Sequence, residues 1–454
     1  MRKQELMVYR DFQDSNFPNG RDWLWFRMES LMSKYEDGIL DKPMVTGPNS
    51  IRNLSRDFYQ CMHDLIAQAG AYGFHGNLWH CYLTHLLVTN ENGYSRSCEM
   101  RGEVEGTINR AVLHDMEIFK EFFDYDFGPL CEKLQVKEFS LVEHYEGSSA
   151  DTGVYNSRIC ERICGLATEL GKSSTAEEMK EILTEFYRKY GVGKFGLYKC
   201  FRIGQRTERG VTVEPIPRIL HVRLDDLVGY EIQKKKLTDN TEAFVAGRKA
   251  NNCLLFGDAG TGKSSCIKAI ANEYYDRGLR IIEVYKHQFQ ELHEVINQIK
   301  GRNYKFIIFM DDLSFEDFEI EYKYLKAVIE GGLEKKPENI LIYATSNRRH
   351  LIRENYGDKT EDGHFPEVRQ DMHTSDTVQE KLSLAYRFGV TIYFGTPDKR
   401  QFQGIVKALA ERNGVTMPEE ELLLEANKWE LSHGGLSGRT AQQFIDYICG
   451  TLGN

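Results

Sequence analysis

The residues best suited to chemistry stand together in one run, Gly257-Asp258-Ala259-Gly260-Thr261-Gly262-Lys263-Ser264-Ser265. Without a Cβ, glycines let the backbone curl so that successive N–H groups face an anion, and a helix opening behind them adds its positive end. A glycine, four residues, then Gly-Lys-Ser is the Walker A spacing, which makes this run a phosphate-binding loop. Lys263 is expected to reach β- and γ-phosphates, and the Ser264 hydroxyl to ligate Mg²⁺. Such a loop needs a strand before it and a helix after it. Cys253-Leu254-Leu255-Phe256 is an apolar run fit for a buried strand, and Ile267, Ile270, Ala271 and Tyr274 recur at helical spacing. A bare glycine turn is the simpler reading, but motif, strand and helix agree against it.

A second group of chemical residues follows another apolar run. Phe306-Ile307-Ile308-Phe309-Met310 delivers Asp311-Asp312, the Walker B arrangement. Here Asp311 is assigned to the Mg²⁺ shell and Asp312 to the attacking water. Two solvated turn aspartates would look the same in isolation; the loop upstream decides for the functional reading. Ile340-Leu341-Ile342-Tyr343 then ends in Ala344-Thr345-Ser346-Asn347, and the Asn347 amide at a strand tip suits a γ-phosphate or a water. Arg348 and Arg349 read as a solvated pair. Ala385-Tyr386-Arg387-Phe388-Gly389 offers Arg387, steadied by an adjacent buried aromatic, to a phosphate on a neighbouring subunit. Ser437-Gly438-Arg439-Thr440 opens a helix from which Arg439 can lean over the nucleotide.

The elements around these residues alternate. Strands are expected at 253–256, 280–285, 305–310, 340–345 and 390–394, with helices near 264–277, 288–300, 319–331 and 376–386. That is an α/β pattern, a parallel sheet with helices on both faces. From Asp398 only helices are expected, at 398–412, 418–428 and 438–450, forming a small α domain. Residues 1 to about 190 read as mainly helical, with aromatic residues that serve as core or as a protein contact surface. Short strands at 195–202 and 210–214 precede Pro215 and Pro217, which mark a boundary. The expected domains are therefore a mainly helical 1–218, a nucleotide-binding core 219–397 and a helical 398–454.

Composition narrows the class. Of 454 residues 41% are hydrophobic and 28% charged, the balance of a globular protein, and the length suggests more than one domain. The net charge of −10 gives nucleic-acid binding no support. No apolar stretch is long enough to cross a bilayer, and Met1-Arg2-Lys3-Gln4-Glu5-Leu6 lacks the apolar centre of a signal peptide, so the expected compartment is the cytoplasm. The ten cysteines show no paired pattern and read as reduced, mostly buried thiols. Cys81 and His85, with His80 and Cys98 close by, read as core rather than as a zinc site.

In order and spacing, the loop, Asp311-Asp312, Asn347, Arg387 and Arg439 resemble the AAA+ ATPases over roughly residues 220–454. Three strings are similar to one bacterial branch catalogued as a domain of unknown function. They are Asp311-Asp312-Leu313-Ser314-Phe315-Glu316, Ala344-Thr345-Ser346-Asn347-Arg348-Arg349-His350-Leu351 and Ser437-Gly438-Arg439-Thr440-Ala441. The resemblance implies an Mg-ATP-dependent core with a helical lid. By it Asn347 is sensor 1, Arg387 an arginine finger offered in trans, Arg439 sensor 2, and Val228-Gly229-Tyr230 the segment against adenine. It implies a homo-oligomer that couples hydrolysis to remodelling of an unidentified protein partner, met through the N-terminal domain. One departure stands out: most AAA+ enzymes have Asp-Glu where this chain has Asp311-Asp312. A carboxylate one methylene shorter is set back from the water, which predicts slow turnover. That favours an alternative, a nucleotide-state switch with little hydrolysis. A small-molecule kinase fits less well, because the extra mass lies N-terminal to the core.

Overall fold

Helical periodicity dominates up to residue 198 and strand–helix alternation after it, and the chain folds as two units, Met1–Tyr198 and Lys199–Asn454. The computed structural model describes residues 5–10, 23–41, 50–102, 104–147, 155–208, 210–219, 221–315, 321–330, 337–347 and 384–452.

The first unit is built from α1 (Trp23–Glu36), α2 (Ile51–Tyr72), α3 (Leu78–Thr89), α4 (Gly93–Arg101), α5 (Ile108–Asp124), α6 (Gly128–Leu134), α7 (Ser140–Glu143), α8 (Ser157–Lys172), α9 (Ala176–Tyr190) and α10 (Gly193–Leu197). Helix α3 is buried at Leu78, Trp79 and every residue from Cys81 to Val88, so it runs through the core. The aromatic residues serve as core: Trp25 meets Phe119 edge to face at 5.3 Å. Trp79 Nε1 donates to the Phe122 carbonyl at 2.9 Å. Helix α9 starts at an N-cap, with the Thr175 hydroxyl accepting from the Glu178 N–H at 3.2 Å. The histidines and thiols considered for zinc are spent on packing. His85 Nε2 bonds the Tyr155 hydroxyl at 2.9 Å and Cys81 Sγ lies 3.8 Å from Cys164 Sγ. Among the described residues no group of three His, Cys, Asp or Glu side chains could hold a metal ion.

Among the described residues the second unit centres on a sheet of seven strands in the order β2-β1-β4-β5-β6-β3-β7. These are β1 (Cys200–Thr207), β2 (Gly210–Pro215), β3 (Cys253–Gly257), β4 (Leu279–Glu283), β5 (Lys305–Met310), β6 (Ile340–Ser346) and β7 (Val390–Phe394). Every pairing is parallel except the β1–β2 hairpin at the edge. β6 is buried at all its residues and β5 at all but Lys305, as strands covered on both faces must be. The order places β3 between β6 and β7, so the loop after it opens where the ends of β5 and β6 also arrive. Helices α11 (Glu231–Val245), α12 (Lys263–Tyr274), α13 (Leu292–Ile299) and α14 (Glu321–Glu330) flank the sheet. A separate apolar cluster around Phe402, Val406, Ala426 and Ile445 holds α15 (Lys399–Arg412), α16 (Glu419–Ser432) and α17 (Gly438–Leu452) together as the lid. Asp398 and Gln401 cap α15 reciprocally at 2.8 and 2.9 Å.

One expected boundary moves. The strands placed at the end of a 1–218 domain join the core sheet, because Cys200 and Phe201 register against Ile281 and Ile282 of β4. Phe201 and Ile203 are buried there, so the chain divides after Tyr198. The strand read at 195–202 also shifts: 193–197 is helical, and pairing runs from 200 to 207. Most of the helix expected at 376–386, and Arg348 to Leu351, lie outside the described residues. No helix among the described residues is long and apolar enough to cross a membrane.

Candidate phosphate-binding cleft

Backbone geometry sets the loop first. Gly257 ends β3 at φ 134°, and a Cβ there would stand 2.1 Å from the Phe394 carbonyl oxygen of β7, so no other residue fits. Asp258 N–H then donates to that same oxygen at 3.0 Å. Gly260 turns back at φ 75° beneath Ser437 and Arg439 of the lid, and Gly262 at φ 90° starts α12. The result is a cleft of about 870 Å³ floored by residues 259–265, walled by the ends of β5 and β6, and roofed by lid helices.

The chemical side chains converge on that floor. Lys263 is only 6% exposed; its Nζ donates to the Gly257 and Asp258 carbonyls at 3.0 and 2.6 Å and to Asn347 Oδ1 at 3.0 Å. Burial lowers its pKa, with Asp258, Asp312 and Asp311 pulling the other way. Ser264 Oγ donates to Asp311 Oδ1 at 2.6 Å. The Thr345 hydroxyl donates to the same oxygen at 2.5 Å, and Asn347 Nδ2 donates to Asp312 Oδ1 at 2.7 Å. Both aspartates are exposed to the cleft. A hydroxyl and a carboxylate side by side are hard oxygen donors, which suits Mg²⁺ completed by water and phosphate oxygens.

Val228 and Tyr230 also line the cleft, where with Leu227, Ile405 and Leu409 they make an apolar wall. Burial pushes the Tyr230 hydroxyl up to about 12, and it donates to the Gly395 carbonyl at 2.7 Å. Gly229 supplies a turn at φ 81° and does not line the cleft. Ala259, Thr261 and Ser265 line it, and Arg439 reaches it from α17 while its N–H donates to the Gly260 carbonyl at 3.3 Å. Asp258 is in the loop but points away: its Oδ2 accepts from the N–H and the hydroxyl of Thr396, both at 2.7 Å. Arg387 sits in the turn before β7 and is not part of the cleft within one chain. Its buried aromatic neighbour is Phe388, while Tyr386 is 82% exposed.

Three contributors escape a reading of motifs. Thr345 stands inside a string already singled out, but its place opposite Asp311 follows only from the β5–β6 register, Met310 against Ala344. Thr396 receives Asp258 across 138 positions. Arg412, at the end of α15, donates to the Asp225 and Asp226 carbonyls at 2.6 Å each and clasps the lid to the segment before Val228.

Residues 197–452 match the family model described as "Protein of unknown function (DUF815)", more than half of the chain, and the chain belongs to that family. Its second unit has a mostly parallel sheet with helices on its faces, a glycine-rich loop after β3 and a C-terminal helical lid. No curated protein matches the sequence. Among solved structures it is similar to RuvB of Thermotoga maritima, described as a Holliday junction branch migration motor, at 16% identity and a TM-score of 0.34 over 51% of this chain and 65% of that one. It is likewise similar to the FIGL-1 AAA domain in complex with ADP, at 16% identity and a TM-score of 0.35 over 51% of this chain and 74% of that one. The matched stretch thus spans just under two thirds of the RuvB chain.

Proposed function

We propose that the second unit binds Mg-ATP and hydrolyses it, and that hydrolysis remodels a protein partner engaged through residues 1–198. The observation carrying this is the convergence of Lys263, the Ser264–Asp311 pair and the Asn347–Asp312 pair in one cleft. In this reading the loop N–H groups and Lys263 hold the β- and γ-phosphates, Lys263 exchanging its contacts to Gly257, Asp258 and Asn347 for phosphate oxygens. Ser264 and Asp311 would hold Mg²⁺, which when bound neutralises charge developing on the phosphates. Asp312 takes the proton of the attacking water, and the Asn347 amide orients that carboxylate. Val228, Gly229 and Tyr230 shape the base pocket, and Arg439 follows the γ-phosphate from the lid. Arg387 lies outside its own chain's cleft, so we assign it to a neighbouring subunit's nucleotide, which makes the working form a homo-oligomer.

Steady-state phosphate release by the purified chain tests this. Wild type is expected to turn over, Asp312→Asn to bind ATP and retain it, and Arg387→Ala to bind but not hydrolyse. Wild-type rates from Arg387→Ala would remove the assignment in trans.

A second reading has support of its own. The lid is tied to the loop twice, through Arg439 N–H on the Gly260 carbonyl and through Asp258 on Thr396 just before α15. A loop so coupled can report nucleotide state by lid position without fast turnover. Sub-stoichiometric phosphate release with different elution of the ATP and ADP forms would favour this switch over the motor.

A further inference from the structure

We infer that Thr345 is a positioning residue for both acids of the cleft, and that aspartate at 312 is the working choice there rather than a shortened glutamate. This rests on the hydrolytic reading above.

The strand register puts Thr345 at the level of Asp311, one residue past the Met310–Ala344 pair. Its side chain is 1% exposed and its hydroxyl has a single hydrogen. That hydrogen goes to Asp311 Oδ1 at 2.5 Å, and the oxygen accepts the Asp312 N–H at 2.9 Å. Next, the Leu313 N–H donates to the Thr345 carbonyl at 2.7 Å. Three bonds from one residue therefore hold the end of β5, on both sides of the turn that aims Asp312.

That turn is left-handed, with Asp312 at φ 50°, a conformation few non-glycine residues adopt and one in which aspartate is enriched. From it the Asp312 carboxylate reaches Asn347 Nδ2 at 2.7 Å while Asn347 Oδ1 accepts from Lys263 at 3.0 Å. The amide orientation is forced, since lysine can only donate and a carboxylate only accept. A relay Lys263–Asn347–Asp312 thus joins the phosphate-binding cation to the proposed base. In the same turn a glutamate would carry its carboxylate one bond past the Asn347 amide and adopt the left-handed backbone less readily. The departure from Asp-Glu is then matched to the turn, and Thr345 is what holds the turn.

The test uses the purified full chain. Thr345→Val keeps shape but loses the hydroxyl; ATP affinity is expected to stay within about twofold while kcat falls about a hundredfold, the scale of a misplaced catalytic group. Thr345→Ser, which restores the hydroxyl, is expected to recover most of the turnover. Asp312→Glu is expected to slow turnover at least tenfold, whereas a carboxylate that is merely too short would gain from the added methylene. A readout without nucleotide checks the turn itself: Asp312→Gly should melt above Asp312→Ala, because glycine alone relaxes there. Turnover of Asp312→Glu at or above wild type, an unimpaired Thr345→Val, or equal melting of the glycine and alanine variants would each overturn the inference. If wild type releases no phosphate above a Lys263→Ala background, the hydrolytic reading fails and the role of Thr345 fails with it. A hydrolysing wild type with an unaffected Thr345→Val removes only the present inference.

Discussion

Aspartate is put to opposite uses in the two units. In the first, Asp115 is fully buried and its carboxylate accepts the backbone N–H groups of Met7, Val8 and Tyr9 at 2.8, 2.7 and 2.9 Å, tying the N-terminal segment to α5. In the second, Asp311 and Asp312 are exposed and their side-chain partners are the hydroxyls of Ser264 and Thr345 and the amide of Asn347. Main-chain N–H groups cannot leave without unfolding a segment, so Asp115 is committed to structure. Hydroxyls and amides rotate, so the cleft acids can trade partners for a ligand. Burial alone does not separate the two uses, since Lys263 is buried and still faces the cleft.

The sharpest way to break the contrast is to remove one charge from each side. Lys263→Ala should abolish ATP binding, read by calorimetry, and leave the melting temperature of the nucleotide-free chain within a few degrees. Asp115→Ala should do the reverse: it leaves buried N–H groups unpaired, costs roughly 3 kcal/mol of unfolding free energy in urea, and spares ATP affinity below the unfolding transition. A Lys263→Ala chain that fails to fold, or an Asp115→Ala chain as stable as wild type, would erase the distinction.

The same contrast explains what a reader of the sequence can and cannot see. The loop is legible because its glycines fix backbone shape and its Lys263 and Ser264 fix chemistry within one short run. The strands are legible because both-face burial writes apolar runs such as Phe306 to Met310. Partners far apart in sequence are not legible. Asp258 reads as part of a phosphate cradle, yet its carboxylate goes to Thr396. Asp115 sits on a helix face, and nothing local announces that residues 7 to 9 will reach it. β1 reads as the close of the first domain, because pairing with β4 across some eighty positions leaves no local mark.

Histidine sharpens the contrast by pH. His85 is buried among Tyr72, Phe74 and Tyr155, and burial lowers its pKa from 6.5 to about 4. The unfolded chain therefore takes up the proton first: stability is whole above pH 6.5 and falls as pH drops toward 4, by about 3 kcal/mol in all. Urea midpoints measured between pH 7 and pH 4.5 should fall for wild type and fall less for His85→Leu. Equal slopes would mean that His85 is hydrated or charged in the fold.

The smallest expected effect lies where the two uses meet. Asp258 is exposed and belongs to the glycine-rich loop after β3, but like Asp115 it is spent on holding chain: one oxygen takes both the N–H and the hydroxyl of Thr396, in the segment leading into α15. Asn at 258 keeps an acceptor and loses only the charge, so the contact to Thr396 weakens without vanishing. If Asp258 is structural, Asp258→Asn should leave ATP affinity within about threefold, on the scale of one weakened surface contact. Hydrogen exchange should meanwhile quicken at the start of α15, where the lid leaves the core. If it instead belongs to the nucleotide site, affinity should move by an order of magnitude or more and α15 should exchange as before. Thr396→Val, which removes only the hydroxyl donor, should reproduce the exchange change at lower amplitude. Agreement between the two variants assigns the effect to the Asp258–Thr396 contact, because Thr396 does not line the cleft.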